Sequence, residues 1–186
     1  MRPILFYTIG YPGAGKTTFA RNLTNWFGGT HLRADKIGLS LFVVPTFSDA
    51  ERKAVYQHMD HQAMLALNTN RFVLYDGALN SSDQRLKLKR LAAEHGAIAV
   101  GLWMNVPTNV ARVRAGKLRD VGVGGVGGRI IPPELFERYK AAFEEPSAAD
   151  ELFLRVDGIK PFGYQYRQLA HDLKRYNISL PPMIEL

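Results

Sequence analysis

The chain has 186 residues and contains no cysteine, which excludes disulfide bonds, thiolate metal sites and cysteine nucleophiles. It also lacks an apolar run near the ~20 residues that a membrane-spanning helix needs. A strand-like run begins within a few residues of Met1, which leaves no room for a signal peptide. We therefore expect a cytoplasmic protein that does not associate with membranes.

The residues that are present indicate one compact domain over 1–186. Hydrophobic residues make up 46% of the chain and charged residues 22%, a balance that allows a sizeable core. The net charge is +7 and the isoelectric point is about 9.7. This excess favours anionic partners, but it does not choose between nucleic acid and phosphorylated small molecules.

A phosphate-binding loop is the most specific motif. Residues 10–17 match the pattern G-x-x-x-x-G-K-[ST] in full. An apolar, β-branched run precedes them and a helix-compatible pattern follows, which is the strand, loop and helix order that the mechanism requires. The motif predicts that the chain binds a nucleoside triphosphate, here taken as ATP.

Each residue type in this loop has a physical role. Glycines allow backbone N–H groups to converge on phosphate oxygens at a helix N-terminus. Lys16 adds a mobile charge for the β and γ phosphates, and the Thr17 hydroxyl is the expected Mg²⁺ ligand. The predicted ATP-binding residues are Gly13, Ala14, Gly15, Lys16, Thr17 and Thr18.

Five short apolar runs alternate with helical patterns along the chain. The predicted strands lie at 4–9, 30–34, 72–75, 97–106 and 152–156. The predicted helices follow the loop and span 49–67, 82–95, 134–144 and 163–176, with a further helix opening at Pro107. This alternation predicts an α/β fold of three α/β/α layers around a five-stranded parallel sheet.

Two aspartates follow predicted strands, where ligands bind in such sheets. Asp76 is predicted to hold Mg²⁺ directly or through water, the alternative being a turn-forming or helix-capping aspartate. Asp35 is predicted to accept a proton from an acceptor hydroxyl, the alternative being an N-cap for the segment that starts at Lys36. The two roles of Asp35 are compatible.

A basic, glycine-rich segment over about 114–131 is predicted to be a lid. It carries six glycines between Gly116 and Gly128, so its backbone has little intrinsic reason to be rigid. The alternative is a surface loop with solvated charges. A second group of cations lies on the predicted helix 82–95 and is read as a solvated face rather than a ligand site: Arg85, Lys87, Lys89 and Arg90. His58 and His61, three residues apart, are read as ordinary polar residues rather than metal ligands.

Taken in order, these motifs resemble small P-loop kinases related to polynucleotide 5′-hydroxyl kinases, zeta toxins and chloramphenicol phosphotransferases. The resemblance covers nearly the whole chain. The similar segments are the loop 10–18, the strand-end Asp35, the motif 76–80 with Arg85 after it, the run from Pro107 to Arg114 and Arg119, and the Phe-Glu-Glu-Pro sequence 143–146.

The resemblance implies an ATP- and Mg²⁺-dependent transfer of the γ-phosphate to a hydroxyl. It implies that the catalytic residues are Lys16, Asp35 as general base, Arg114 and Arg119, with Arg129 a less favoured lid arginine. One departure concerns the acceptor, since Gly38 stands where polynucleotide kinases of this group usually carry an arginine. The acceptor is therefore left open between a nucleic acid 5′ end and a nucleoside, metabolite or antibiotic.

Two other function classes remain open from the sequence. One is a nucleotide-dependent switch with ATPase activity, and the other is a basic nucleic-acid-binding module in which the loop grips backbone phosphate.

Overall fold

The computed structural model describes residues 2–44, 46, 48–69, 72–117, 130–148 and 151–183. Five strands and seven helices lie in these residues. The strands are β1 (Ile4–Ile9), β2 (Thr30–Arg33), β3 (Phe72–Asp76), β4 (Ile98–Asn105) and β5 (Phe153–Asp157). The helices are α1 (Lys16–Phe27), α2 (Ala34–Leu41), α3 (Asp49–Thr69), α4 (Ser82–Glu94), α5 (Thr108–Ala115), α6 (Pro133–Ala141) and α7 (Phe162–Lys174).

The five strands form one parallel sheet in the order β2-β3-β1-β4-β5, which confirms the predicted α/β fold. Every residue of β1 is buried, as expected for a central strand that is covered on both faces. Alternate side chains of β1 therefore enter two separate clusters. Ile4 and Phe6 pack towards α1 and α7, whereas Leu5 and Tyr7 pack towards α3 and α4.

Two elements differ from the sequence-based expectation. Helix α2 begins directly after β2, so the predicted strand 30–34 is one residue shorter and Arg33, rather than Asp35, occupies the N-cap position. Helix α6 ends at Ala141, and residues 143–146 form an irregular strap instead of a last helical turn. The Ser48 hydroxyl accepts a hydrogen bond from the Glu51 N–H at 3.3 Å, as the capping pattern before α3 predicts.

A buried ion pair joins α4 to the entrance of β5. Arg85 has no exposed surface, and its Nε donates to both carboxylate oxygens of Glu151 at 2.8 and 3.1 Å. Tyr7 also donates its hydroxyl to Glu151 at 2.8 Å. The expectation of a fully solvated cationic face on α4 is thus wrong for Arg85, although Lys87, Lys89 and Arg90 are exposed.

Arg85 also fixes the loop that follows β3. Its Nη1 donates to the carbonyl oxygens of Leu79 and Asn80 at 3.2 and 3.1 Å. The strap 143–146 also holds this loop, because the Glu144 N–H donates to the Asn80 carbonyl at 2.9 Å. A buried guanidinium therefore holds the backbone next to Asp76 through hydrogen bonds to two carbonyls.

None of the helices in the described part of the chain combines the length and the apolar character needed to span a bilayer.

We predict that Arg85→Met lowers the free energy of unfolding by about 3–5 kcal/mol, because it leaves the Glu151 carboxylate buried without a cation. The double variant Arg85→Met/Glu151→Gln removes that charge and keeps an acceptor for the Tyr7 hydroxyl. It should recover part of the loss in urea unfolding curves. A double variant no more stable than Arg85→Met would show that the loss arises from packing rather than from an uncompensated charge.

Candidate functional site

The register of the sheet brings three polar side chains into one row at its carboxyl edge. Arg33 is the direct partner of Asp76 across β2 and β3, and Tyr7 pairs with Tyr75 across β1 and β3. Thr8, the next residue of β1, therefore lies beside Asp76, and its hydroxyl donates to Asp76 Oδ1 at 3.1 Å. The predicted carboxyl-edge site is the place where these strands end.

The phosphate-binding loop leaves β1 at Gly10 and enters α1 at Lys16. Gly10, Gly13 and Gly15 have φ angles of 133°, 82° and 97°, a region that side-chain-bearing residues rarely adopt. Gly13 is also closely packed, because a Cβ atom there would lie 2.1 Å from the Ala111 carbonyl oxygen and 2.8 Å from the Ala115 nitrogen. Helix α5 thus rests directly on the loop backbone.

The first turn of α1 is arranged to receive an anion. Gly15 is its N-cap, no side chain caps it, and its first turn contains no acidic residue. Its leading N–H groups and the positive end of the helix dipole are therefore available to a phosphate. Lys16 stands at the same place and donates its ammonium to the carbonyl oxygens of Gly10 and Tyr11 at 2.8 and 2.9 Å.

Asp76 is an ionised carboxylate in a buried position. It is 5% exposed and accepts hydrogen bonds from Thr8 and from the Nε2 of His31, the latter at 3.3 Å. Burial raises the pKa of this carboxyl, but hydrogen bonds from His31 and Thr17 and the charge of Lys16 outweigh it, so the net pKa lies below the usual range. The carboxylate therefore stays charged at neutral pH.

Thr17 and Asp76, the two predicted metal ligands, interact: the Thr17 side chain helps to lower the pKa of the Asp76 carboxyl. A threonine hydroxyl beside a carboxylate at a phosphate-binding loop is a donor set that suits Mg²⁺, which takes one or two protein oxygens and completes its shell with phosphate and water. Among the described residues there is no group of three or more His, Asp or Glu side chains with metal-site geometry.

Asp35 lies in the first turn of α2, two residues beyond the row of strand ends. Its side chain is 56% exposed and is held by Arg33, whose Nε donates to Oδ1 at 3.1 Å and whose Nη2 donates to Oδ2 at 2.5 Å. The Lys36 N–H donates to Oδ1 at 2.8 Å. The carboxylate is therefore both fixed in direction and open to a ligand.

Arg114 lies in the last turn of α5, the helix that packs on Gly13. Its Nη1 donates to the Gly158 carbonyl oxygen at 2.9 Å, which links the base of the predicted lid to the loop after β5. The Ile131 N–H donates to the Ala115 carbonyl at 3.0 Å, so a backbone hydrogen bond joins these two residues. Arg119 and Arg129 lie outside the described residues.

A cleft of about 310 Å³ opens beside the phosphate-binding loop, at the carboxyl end of β4. Tyr11, Trp103 and Phe143 form its aromatic walls, and Asn105 and Glu145 supply polar groups. The rings of Tyr11 and Phe143 lie 4.9 Å apart, so the strap 143–146 packs directly against the loop. Burial, followed by the charge of Glu145, raises the pKa of the Tyr11 hydroxyl.

Three functional candidates escaped the sequence reasoning: Thr8, His31 and Arg33. His31 and Arg33 lie two residues apart on β2, so their side chains share one face of the sheet and bracket the buried Leu32. That alternation, with an aspartate two residues after Arg33, was the available signal. Thr8 gave no signal, because a threonine inside an apolar strand fits a strand equally well.

Comparison with known proteins agrees with this architecture. A family model described as an AAA domain matches residues 5–146, more than half of the chain, and the chain belongs to this family of P-loop proteins. A search of curated proteins gives no match.

Solved structures of low sequence identity share the fold. They include an unliganded sugar kinase from Janibacter sp. HTCC2649 (17% identity, TM-score 0.62, covering 95% of this chain and 96% of that one). A gluconokinase from Sinorhizobium meliloti 1021 is similar (18%, 0.61, 94% and 92%), as is a putative kinase from Chloroflexus aurantiacus j-10-fl (16%, 0.69, 94% and 97%).

We predict that Gly158→Ala lowers the free energy of unfolding by about 1–3 kcal/mol, because an added Cβ would overpack the site. It would lie 2.3 Å from Val106 Cγ2 and 2.7 Å from the Ala14 carbonyl oxygen. The matched control is Gly163→Ala, whose nearest neighbour is a flexible arginine end at 4.0 Å. Equal melting temperatures for the two variants would show that the loop after β5 does not press on the phosphate-binding loop.

Proposed function

We propose that this protein is an ATP- and Mg²⁺-dependent kinase that phosphorylates a hydroxyl group of a small molecule. The observation that carries the proposal is the position of Asp35. Its carboxylate is exposed and oriented at the same sheet edge as the phosphate-binding loop and the Thr17–Asp76 pair. A phosphate cradle beside an open carboxylate suits transfer to a hydroxyl better than nucleotide binding alone.

In this mechanism the backbone N–H groups of residues 13–18 and the Lys16 ammonium hold the β and γ phosphates. Thr17 and Asp76 would hold Mg²⁺, which neutralises charge on the phosphate oxygens when bound. Asp35 accepts the proton of the acceptor hydroxyl while the oxygen of that hydroxyl bonds to the γ-phosphorus. The bond from that phosphorus to the β,γ-bridging oxygen breaks, and ADP leaves with the electron pair. Arg114 and a lid arginine, Arg119 by the family resemblance, stabilise the transferring group.

Three positions that hold an arginine here or in similar kinases bear on the size of the acceptor. Gly38 removes the cation that polynucleotide kinases of the similar group usually place next to the catalytic aspartate. Arg33 is already engaged by Asp35, and Arg85 is fully buried against Glu151. Among the described residues, neither of these two arginines is therefore available to a nucleic acid backbone. This supports a small acceptor, in line with the sugar kinase and gluconokinase among the structures of similar fold.

We expect Lys16-dependent transfer of labelled γ-phosphate from MgATP to at least one member of a hydroxyl panel. The panel contains D-gluconate, D-glucose, adenosine, hydroxylated antibiotics and a 5′-hydroxyl oligonucleotide, and the control is Lys16→Ala. Labelling of the oligonucleotide alone would contradict the small-molecule acceptor and establish the polynucleotide alternative. ATP hydrolysis with no labelled acceptor would favour the nucleotide-dependent switch.

Asp35→Asn should slow transfer by about 10² or more, because the neutral amide cannot take the hydroxyl proton. Binding of a fluorescent ATP analogue should be unchanged, since Asp35 lies on the acceptor side of the site. A variant that transfers phosphate at the wild-type rate would show that Asp35 is not the base.

A further inference from the structure

The Arg33–Asp35 pair is a directed contact rather than a surface ion pair. The Arg33 residue is 8% exposed, so its guanidinium is held in place by the surrounding structure. It meets the carboxylate with two parallel donors, Nε to Oδ1 and Nη2 to Oδ2, which is the fork geometry that fixes a carboxylate in both position and plane. The exposed partner is thereby anchored by the buried one.

One carboxylate oxygen of Asp35 can accept a further hydrogen bond. An ionised carboxylate oxygen accepts about two hydrogen bonds. Oδ1 receives Arg33 Nε and the Lys36 N–H, whereas Oδ2 receives only Arg33 Nη2 from the residues that the structure describes. The remaining lone pair of Oδ2 is the one that a substrate hydroxyl can use.

The backbone explains why the arginine comes from the strand. Gly38 lies one helical turn after Asp35 on α2, and a Cβ atom there would point to Val55 of α3 at 3.6 Å. Position 38 thus faces α3. Arg33 is the last residue of β2 and the N-cap of α2, so its side chain and that of Asp35 meet across the first turn of the helix.

We propose that Arg33 is the positioning residue of the phosphoryl-transfer site: it orients Asp35 so that Oδ2 presents its open lone pair to the acceptor hydroxyl. Arg33 acts through Asp35 and does not itself contact the reacting atoms. The inference rests on the proposed function, in which Asp35 is the base.

The test is a double-variant cycle with Arg33→Met and Asp35→Asn. Methionine keeps most of the buried stem and removes the fork, and Arg90→Met on the exposed face of α4 is the matched control. The rate of transfer from labelled MgATP is measured with the best hydroxyl of the panel above, or with water where hydrolysis is the only reaction. Thermal unfolding and affinity for a fluorescent ATP analogue establish that each variant is folded and binds nucleotide.

We expect Arg33→Met to lower the transfer rate about 10- to 100-fold, as misplacement of a reacting group by about 1 Å does. Nucleotide affinity should change by less than about twofold, since Arg33 serves the acceptor side. In the Asp35→Asn background, Arg33→Met should cause no further loss, because its effect passes through that carboxylate. Added guanidinium ion should restore part of the activity of Arg33→Met, and Arg33→Lys should fall between wild type and Arg33→Met.

Three outcomes would overturn the inference. An unchanged rate in folded Arg33→Met shows that the fork is dispensable. If Arg33→Met lowers the transfer rate by the same factor in wild type and in Asp35→Asn, Arg33 acts independently of Asp35. A loss of nucleotide affinity that accounts for the whole effect assigns Arg33 to the ATP side. A wild-type rate in Asp35→Asn, or no Lys16-dependent transfer in wild type, is a separate result that refutes the proposed function itself.

Discussion

The register of the parallel sheet is the constraint on which the candidate site depends. Thr8, Asp76 and Arg33 belong to three strands that are far apart in sequence, and they meet only because those strands end in the same row. A slip of one residue in any of them would turn its polar side chain to the other face of the sheet. The buried apolar residues that fix this register, such as Leu5, Phe6 and Leu74, therefore also fix the site.

The candidate site also depends on close packing of the backbone around the phosphate-binding loop. The phosphate-binding loop lies between α5, which touches it at Gly13, and the loop after β5, which touches it at Gly158. A side chain at either position would displace the loop, whose N–H groups must converge on a phosphate. Arg114 connects the same two neighbours through its hydrogen bond to the Gly158 carbonyl. The last turn of α5 is thereby tied to the loop after β5.

The sequence was sufficient for the parts of the molecule that obey local rules. The glycine-rich loop, the alternation of strands and helices and the capping pattern before α3 each depend on neighbouring residues, and each is confirmed. The role of Arg85 was missed because its partner, Glu151, lies 66 residues away and helical periodicity alone reads a cation as exposed. Arg33 was missed because its contact depends on the start of α2, a short helix without a side-chain cap.

Asp35 is held in a different way from the residues at the phosphate-binding loop. Lys16 and Thr17 begin α1 directly after the phosphate-binding loop, and Asp76 ends β3, which is paired on both sides. Asp35 is instead supported from the edge strand β2, and α2 begins immediately after it. The guanidinium that holds this carboxylate comes from the end of β2, at Arg33. Position 38 of α2 carries no charge and faces Val55 of α3 instead.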